Sequence, residues 1–261
     1  MKSSYKNSYK DYIYNFIKKR LEEKKLKSLG GVSIITCTNK ADTLDNILAN
    51  FIRQDYWKKE LIIIINKDSI DLEKWSNIIE EHEGVKIFKL SEKISLGKCL
   101  NFAVDKCQYP IIAKFDDDDY YGPKYISSTV KYFESTNAKV LGKAANFVYF
   151  VEKNILAIRT PNQENRYVRF ANGSTLVFKK EIFDKVKFRN MSLAEDVYFC
   201  QDCIKNNILI YSTDKYHHVY FRHPLKKNHT WKITDDEFMD KYCKVIGKVE
   251  DYISYANNTV D

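Results

Sequence analysis

Between Val32 and Phe115, strand and helix patterns alternate with little between them, and no other feature constrains the fold as tightly. Val32 to Cys37 is a short apolar run of the kind a buried strand needs. Leu44, Ile47, Leu48, Phe51 and Ile52 then repeat at helical spacing. Leu61 to Ile65 is an unbroken apolar run, mostly β-branched, which suits a central parallel strand covered on both faces. A second helix is expected over Leu72 to His82, a third strand over Val85 to Leu90, and a third helix entered at Gly97 and marked by Leu100, Ala103, Val104 and Cys107. Ile111 to Phe115 follows Pro110 as a fourth strand and runs straight into Asp116-Asp117-Asp118-Asp119. Alternation of this kind means βαβ units, a parallel sheet and right-handed crossovers, a Rossmann-like nucleotide-binding half. Such sheets bind ligands at the carboxyl ends of their strands. Thr36 to Asn39, Asn66 to Ser69 and Asp116 to Asp119 all fall there, so three loops should converge on one crevice.

The second half reads differently. Val140 to Ile158 looks like extended segments turning near Lys153-Asn154. Thr175 to Phe178, Ile208 to Tyr211 and Val219 to Phe221 read as short strands, and Ala194 to Asn206 as a helix. No Gly/Ser-rich or Pro-rich linker separates the halves. The expectation is an α/β fold whose mostly parallel sheet continues into a mixed sheet, not two independent domains.

Four carboxylates at the end of a buried strand repel one another and need a counter-charge. A divalent cation is the usual answer, because Mg²⁺ and Mn²⁺ take oxygen ligands and bridge them to phosphate. If the chain stays extended, Asp116 and Asp118 face one side and Asp117 and Asp119 the other. The competing reading is a solvated acidic turn or a helix N-terminus before Pro123.

Charge narrows the partners. The net charge is +8, yet residues 1 to 28 hold nine bases against three acids. The basic character therefore belongs to an arm, which argues against a nucleic-acid enzyme. Tyr9, Tyr12, Ile13, Phe16, Ile17 and Leu21 share one helical face of that arm. A basic amphipathic helix can lie on an anionic membrane, dock to a partner, or pack back on its own domain. No apolar run approaches the roughly 18 residues of a membrane span, and lysines and tyrosines interrupt any signal-peptide core. The chain is therefore expected to be cytoplasmic, with possible peripheral membrane contact through the arm. Its six cysteines should be reduced. Cys200 and Cys203 form a C-x-x-C without a second pair to complete a zinc set, and packing on a helix is the better reading.

These residues also resemble, in order, the family-2 glycosyltransferases of the GT-A fold. Val32 to Asn39 looks like the opening strand and donor loop, and Glu60 to Ile65 like the second strand. Leu96-Gly97-Lys98 with Asn101 resembles the glycine, basic residue and helix before the metal strand. Phe115 to Pro123 resembles the Asp-Xaa-Asp-Asp segment, and Ala194-Glu195-Asp196 the pair that carries the base. The resemblance covers about residues 31 to 232. It is especially similar to a bacterial subgroup linked to spore or surface polysaccharides, whose Arg…His-Thr-Trp ending would here be Arg222 and His229-Thr230-Trp231. Where the family usually has Asp-Asp-Gly-Ser after the second strand, this chain has Asn66-Lys67-Asp68-Ser69.

Three parts are expected: a basic amphipathic N-terminal helix over 1–30, read from its periodicity, a GT-A domain over 31–233, which the resemblance implies, and a C-terminal helical tail over 234–261. The resemblance implies an inverting transfer from a nucleotide-sugar, a UDP-sugar first, to a hydroxyl of a glycan or surface-polysaccharide precursor. Asp196 would be the base, with Glu195 supporting it or orienting the acceptor. Thr36, Thr38, Asn39, Asn66, Gly97, Lys98, Asp116, Asp117 and Arg222 would bind the donor. Asp118, Asp116 and His229 would hold Mn²⁺ or Mg²⁺, and Trp231 would stack on an acceptor sugar. Asn172 to Thr175 is placed near the acceptor by position alone. Two other readings compete: a nucleotidyltransferase acting on sugar phosphates, although Thr38-Asn39-Lys40-Ala41 is not its Gly-rich basic signature, and a non-catalytic carbohydrate-binding protein on the same fold.

Overall fold

The computed structural model describes residues 28–223 and 233–257, together with Asn15, Lys18 and Leu21. The rest of the arm up to residue 27, His229 and Trp231 lie outside the described residues.

The first half follows the apolar pattern closely. Strands β1 (Val32–Thr38), β2 (Lys59–Ile65), β3 (Val85–Lys89) and β4 (Ile111–Lys114) are parallel, joined by α1 (Leu44–Ile52), α2 (Leu72–Ile79) and α3 (Leu96–Lys106). Side chains alternate across the sheet. Ile34 and Ile63 therefore enter one core with α1 and α2, while Ile35, Ile62 and Ile64 enter the opposite core with α3. Burial on both faces is why these strands read as continuous apolar runs, and each fully buried isoleucine stabilises the fold by about 1.5–3 kcal/mol.

The acidic run then carries the chain out of this sheet. Two residues form β5 (Tyr120–Tyr121), followed by α4 (Tyr125–Val130) and α5 (Tyr132–Ser135). The remaining strands are β6 (Val140–Gly142), β7 (Asn146–Phe150), β8 (Ile155–Arg159), β9 (Arg166–Val168), β10 (Val177–Lys179), β11 (Ile210–Ser212), β12 (His218–Arg222) and β13 (Cys243–Lys248). Helix α6 (Glu195–Lys205) precedes β11, α7 (Asp235–Tyr242) precedes β13, and α8 (Tyr252–Asn257) follows it.

The main sheet has the order β3-β2-β1-β4-β10-β6-β11-β9. It is continuous across both halves and turns mixed at β10, which runs antiparallel to both β4 and β6. The sequence pattern did not foretell a second, five-stranded sheet in the order β13-β8-β7-β12-β5. Its first member, β5, is only two residues long, too short for any periodicity to reveal. The β7–β8 hairpin turns at Lys153-Asn154 as expected, with Asn154 in the left-handed conformation that a short polar side chain tolerates. The stretch expected as a helical tail over 234–261 holds α7 and α8 with β13 between them. The β-branched pair Val245-Ile246 favours extended chain there, and β13 joins the edge of the second sheet against β8.

No helix among the described residues is long and apolar enough to cross a membrane.

Candidate active site

A cavity of about 780 Å³ opens at the carboxyl ends of β1, β2 and β4, and α6 begins on its far wall. It is built where the chain passes from one sheet to the other, between β4 and β5. The acidic run is that crossing, and it turns at Asp117-Asp118 instead of staying extended. The expected alternation therefore breaks: Asp116, Asp117 and Asp118 all line the cavity, and Asp119 does not.

Helix α1 holds the turn. Asn46 Nδ2 donates to the carbonyls of Asp117 (2.9 Å) and Asp119 (3.1 Å), and Asn50 Nδ2 donates to that of Asp119 (2.8 Å). Asn50 Oδ1 accepts from the Tyr121 amide at 3.0 Å. Tyr121 in turn accepts the Asp116 amide proton on its hydroxyl, which donates to the Ser174 carbonyl. Its ring stacks on Phe115 with centroids 3.7 Å apart. The backbone that aims the carboxylates is thus fixed from both sides.

Each carboxylate has a different partner. Asp116 pairs with Lys114, a lysine buried within β4. Asp117 accepts from Thr38 Oγ1 at 2.6 Å and from Lys40 Nζ at 3.0 Å, and Lys40 Nζ also lies 2.7 Å from Asp118 Oδ2. Burial, reinforced by the Asp118 charge, pushes the Asp117 carboxyl up, while Lys40 and Thr38 pull it back. Burial lowers the Lys114 ammonium, but the charges of Asp116 and Glu195 outweigh it and the net shift is upward. Asp119 faces the second sheet, where Oδ2 meets His218 Nε2 at 3.1 Å and Oδ1 accepts from the Phe221 amide at 3.1 Å. Burial drives Asp119 well above and His218 well below their ordinary values. Both shifts favour the uncharged forms.

The far wall carries Glu195 and Asp196 in the first turn of α6. Burial lifts the Glu195 carboxyl, with Lys114 opposing and Asp196 adding to the rise. Asp196 Oδ1 accepts the Val197 amide proton at 2.8 Å, which fixes its rotamer at the helix start. The Asn172–Ser174 segment crosses directly beside it. A Cβ on Gly173 would lie 2.3 Å from Asp196 Oδ2, so only glycine leaves this carboxylate its place. Arg159 from β8 and Tyr220 from β12 complete that side of the cavity.

Of the residues singled out from sequence, Thr38, Asn39, Asn66, Asp116, Asp117, Asp118, Glu195 and Asp196 share this cavity. Asn66 ties the loops together: its amide donates to the Thr38 carbonyl at 2.7 Å, and its Nδ2 to that of Ser91 at 2.7 Å. Four others lie elsewhere. Thr36 is sealed inside β1, one turn of the pleat too early. Arg222 is buried outside the cavity lining, with Nε donating to Asp235 Oδ1 at 2.7 Å, and anchors α7 to the second sheet. Lys98 is exposed at the start of α3, outside the cavity lining. Gly97 is there for packing, since a Cβ would meet the Arg189 carbonyl at 1.9 Å. Its amide donates to the Met191 carbonyl at 3.0 Å, and Ser192 Oγ accepts the Leu96 amide at 3.1 Å. Gly97 thus docks α3 on the loop that leads into Glu195-Asp196.

Residues 33–188 match the family described as Glycosyl transferase family 2. The chain belongs to that family. It is 30% identical over 168 residues to the O-antigen biosynthesis glycosyltransferase WbnJ of Escherichia coli, covering 61% of this chain and 66% of that protein. It is 24% identical over 153 residues to the amylovoran biosynthesis glycosyltransferase AmsE of Erwinia amylovora, covering 54% of this chain and 56% of that one. The chain thus spans less than two thirds of either curated relative. Among solved structures it superposes on residues 1–349 of S. aureus TarS in complex with UDP-GlcNAc, with a TM-score of 0.59 at 15% identity, covering 80% of this chain and 64% of that one. The same protein crystallised with UDP gives a TM-score of 0.55, also at 15% identity, with coverage of 74% and 60%. At that identity the likeness establishes the shared GT-A fold.

Within this family-2 domain, reasoning from sequence passed over Lys40, Lys114, Asn46, Asn50 and Arg159 as site residues, and placed Gly173 only within the Asn172 to Thr175 turn. Some left signals. Lys114 is the one charge in Ile-Ile-Ala-Lys-Phe, and a lysine in a buried strand needs a buried partner. Asn46 and Asn50 stand four apart on a helix whose other face is apolar. Asparagine is a poor helix former, so such a pair marks an outside contact. Arg159 carries no such mark, and the position of Gly173 in its turn does not reveal the close approach to Asp196 that the folded chain makes.

Proposed function

We propose that the protein is an inverting glycosyltransferase that moves a sugar from a nucleotide-sugar, a UDP-sugar first, to a hydroxyl of a growing surface polysaccharide. One observation carries this reading: two carboxylate sets with different surroundings, Asp117/Asp118 and Glu195/Asp196, face each other across one nucleotide-sized cavity. The relatives named for O-antigen and amylovoran biosynthesis support the acceptor class, and the UDP-GlcNAc bound to TarS supports the donor class.

The site fits a divalent cation. Oxygens of Asp117 and Asp118 already converge on a single positive charge, that of Lys40 Nζ. Two carboxylates suffice for Mg²⁺ or Mn²⁺, which keep waters and take their other ligands from phosphate. That is consistent with the described residues holding no cluster of three or more protein ligands. Asp117 thereby takes the place expected for Asp116, which Lys114 occupies. When bound, the cation would neutralise charge developing on the leaving diphosphate.

The chain's own residues do the rest. The loops ending β1 and β2, with Thr38, Asn39 and Asn66, receive the nucleoside. Asp196, held at the helix start and given room by Gly173, takes the proton from the attacking hydroxyl on the face opposite the leaving nucleotide. Glu195, paired electrostatically with Lys114, orients the acceptor. Arg159 and Tyr220 bound the acceptor side.

The test is a donor screen by calorimetry and slow hydrolysis, with Mn²⁺ or Mg²⁺ present, across UDP-, dTDP-, GDP- and CMP-sugars. A UDP-sugar should bind most tightly and turn over slowly to UDP. Absence of binding across the whole set sinks the proposal.

A further inference from the structure

On the cavity side of the acidic run one ammonium, that of Lys40, meets two carboxylates. Its Nζ lies 3.0 Å from Asp117 Oδ1 and 2.7 Å from Asp118 Oδ2. The ammonium thus stands where a divalent cation would gain most. Asp116 has a separate counter-charge in Lys114, whose side chain is 5% exposed and locked in β4. Lys40 differs in freedom. Its side chain is 43% exposed, on the loop between β1 and α1, and a flexible four-carbon stem lets its head leave at little steric cost.

Lysine and metal cannot share these oxygens. Mg²⁺ sits about 2.0–2.1 Å from its carboxylate ligands. With the ammonium against the same two oxygens, the cations would be near neighbours in a half-buried site and repel strongly. A metal arriving alone must evict Lys40, which gives up both carboxylate contacts with no new anion to replace them. A metal arriving with a diphosphate brings new anionic oxygens into the cavity that Thr38, Asn39 and Lys40 line, and the evicted ammonium can pair with them.

We propose that Lys40 is a tethered counter-ion that competes with the divalent cation for Asp117 and Asp118 and yields only when metal and nucleotide diphosphate arrive together. Lys40 thereby couples the two ligands: each binds weakly alone and more tightly with the other, by the same factor in both directions. The inference rests on the metal-assisted donor site proposed above.

The experiment measures Mn²⁺ binding by calorimetry and by the spin-resonance signal of free Mn²⁺, without and with UDP, for the wild type, Lys40→Met and Lys40→Arg. Lys40→Met should bind Mn²⁺ alone at least about tenfold more tightly, equivalent to about 1.4 kcal/mol. The enhancement of Mn²⁺ affinity by UDP should shrink by a similar factor. Lys40→Arg keeps the charge and should retain the weak Mn²⁺ binding of the wild type. If Lys40→Met does not fold, Lys40→Gln gives the same comparison. Unchanged or weaker Mn²⁺ binding by the uncharged variant overturns the proposal, and if UDP binding still depends on Mn²⁺ the donor-site reading survives. If UDP binds equally with and without Mn²⁺ in all three proteins, the donor-site reading fails and the role of Lys40 fails with it.

Discussion

Asp118 and Asp119 are adjacent, chemically identical and opposite in role. Asp118 faces the cavity, meets the half-exposed Lys40 and is 34% exposed. Asp119 turns into the second sheet, is fully buried and meets His218 and the Phe221 amide. One is available to a ligand; the other fastens β12 to the crossing. The same division holds across the molecule. Carboxylates facing the cavity (Asp117, Asp118, Glu195, Asp196) sit where a ligand can meet their charge, whereas Asp119 and Asp235 hold elements together. A carboxylate's place in a motif therefore does not define its work; the direction in which the turn aims it does.

Substitutions should separate the two classes. The largest effect on rate is expected from Asp196→Asn, which removes the base. Transfer should fall by about 10²–10⁴-fold with donor binding intact by calorimetry, and equal loss of both would remove Asp196 from that role. Asp118→Asn should cost roughly 10²–10³-fold in kcat/KM and leave the unfolding midpoint in urea unchanged. Asp119→Ala should do the reverse. It strands the buried Phe221 amide and takes a partner from His218, so urea unfolding should show a loss on the order of 2–4 kcal/mol. If both substitutions affected stability alike, the division between the two residues would collapse. Gly173→Ala should displace the Asp196 carboxylate and slow transfer by about tenfold to 100-fold, with little change in the affinity for UDP.

The smallest effect sharpens the comparison through pH. The Glu195 carboxyl is raised above its ordinary value of 4.5, chiefly by burial. The native state therefore holds this proton more tightly than the unfolded chain does. The penalty is absent below that ordinary value, grows as pH rises through the interval between the two values, and is fully present above the folded one. Glu195→Gln should thus unfold at a higher temperature than the wild type at neutral pH, with the difference vanishing near pH 4, while transfer is slower. A gain that persisted unchanged in acid would mean that the carboxylate is not the source of the cost.

Much of this was legible in the chain. The apolar runs of β1, β2 and β4 gave strand positions and directions, because strands covered on both faces tolerate little else. The ends of those strands placed Thr38, Asn66 and the acidic run together, and the order of motifs gave the family. The expected site residues that fall outside the cavity share a physical origin. Thr36 and Thr38 differ by one pleat repeat, and only the depth of β1 in the sheet shows that Thr38 alone reaches the cavity. Arg222 looked free because Asp235, its partner, lies 13 residues further on and meets it only after α7 docks. Gly97 looked like a ligand-binding glycine, but the close approach that excludes a side chain is to the Arg189 carbonyl.

Sequence by itself therefore determined the parallel half, the crevice at its strand ends and the residue types available for chemistry, since periodicity and burial are local properties of the chain. Tertiary structure alone decided which carboxylates face that crevice. The second sheet, entered through the two residues of β5, turns the acidic run at Asp117-Asp118, sends Asp119 to His218 and leaves Asp118 to Lys40. Contacts between residues 69 to 99 positions apart set that turn, and no pattern within the run itself encodes them.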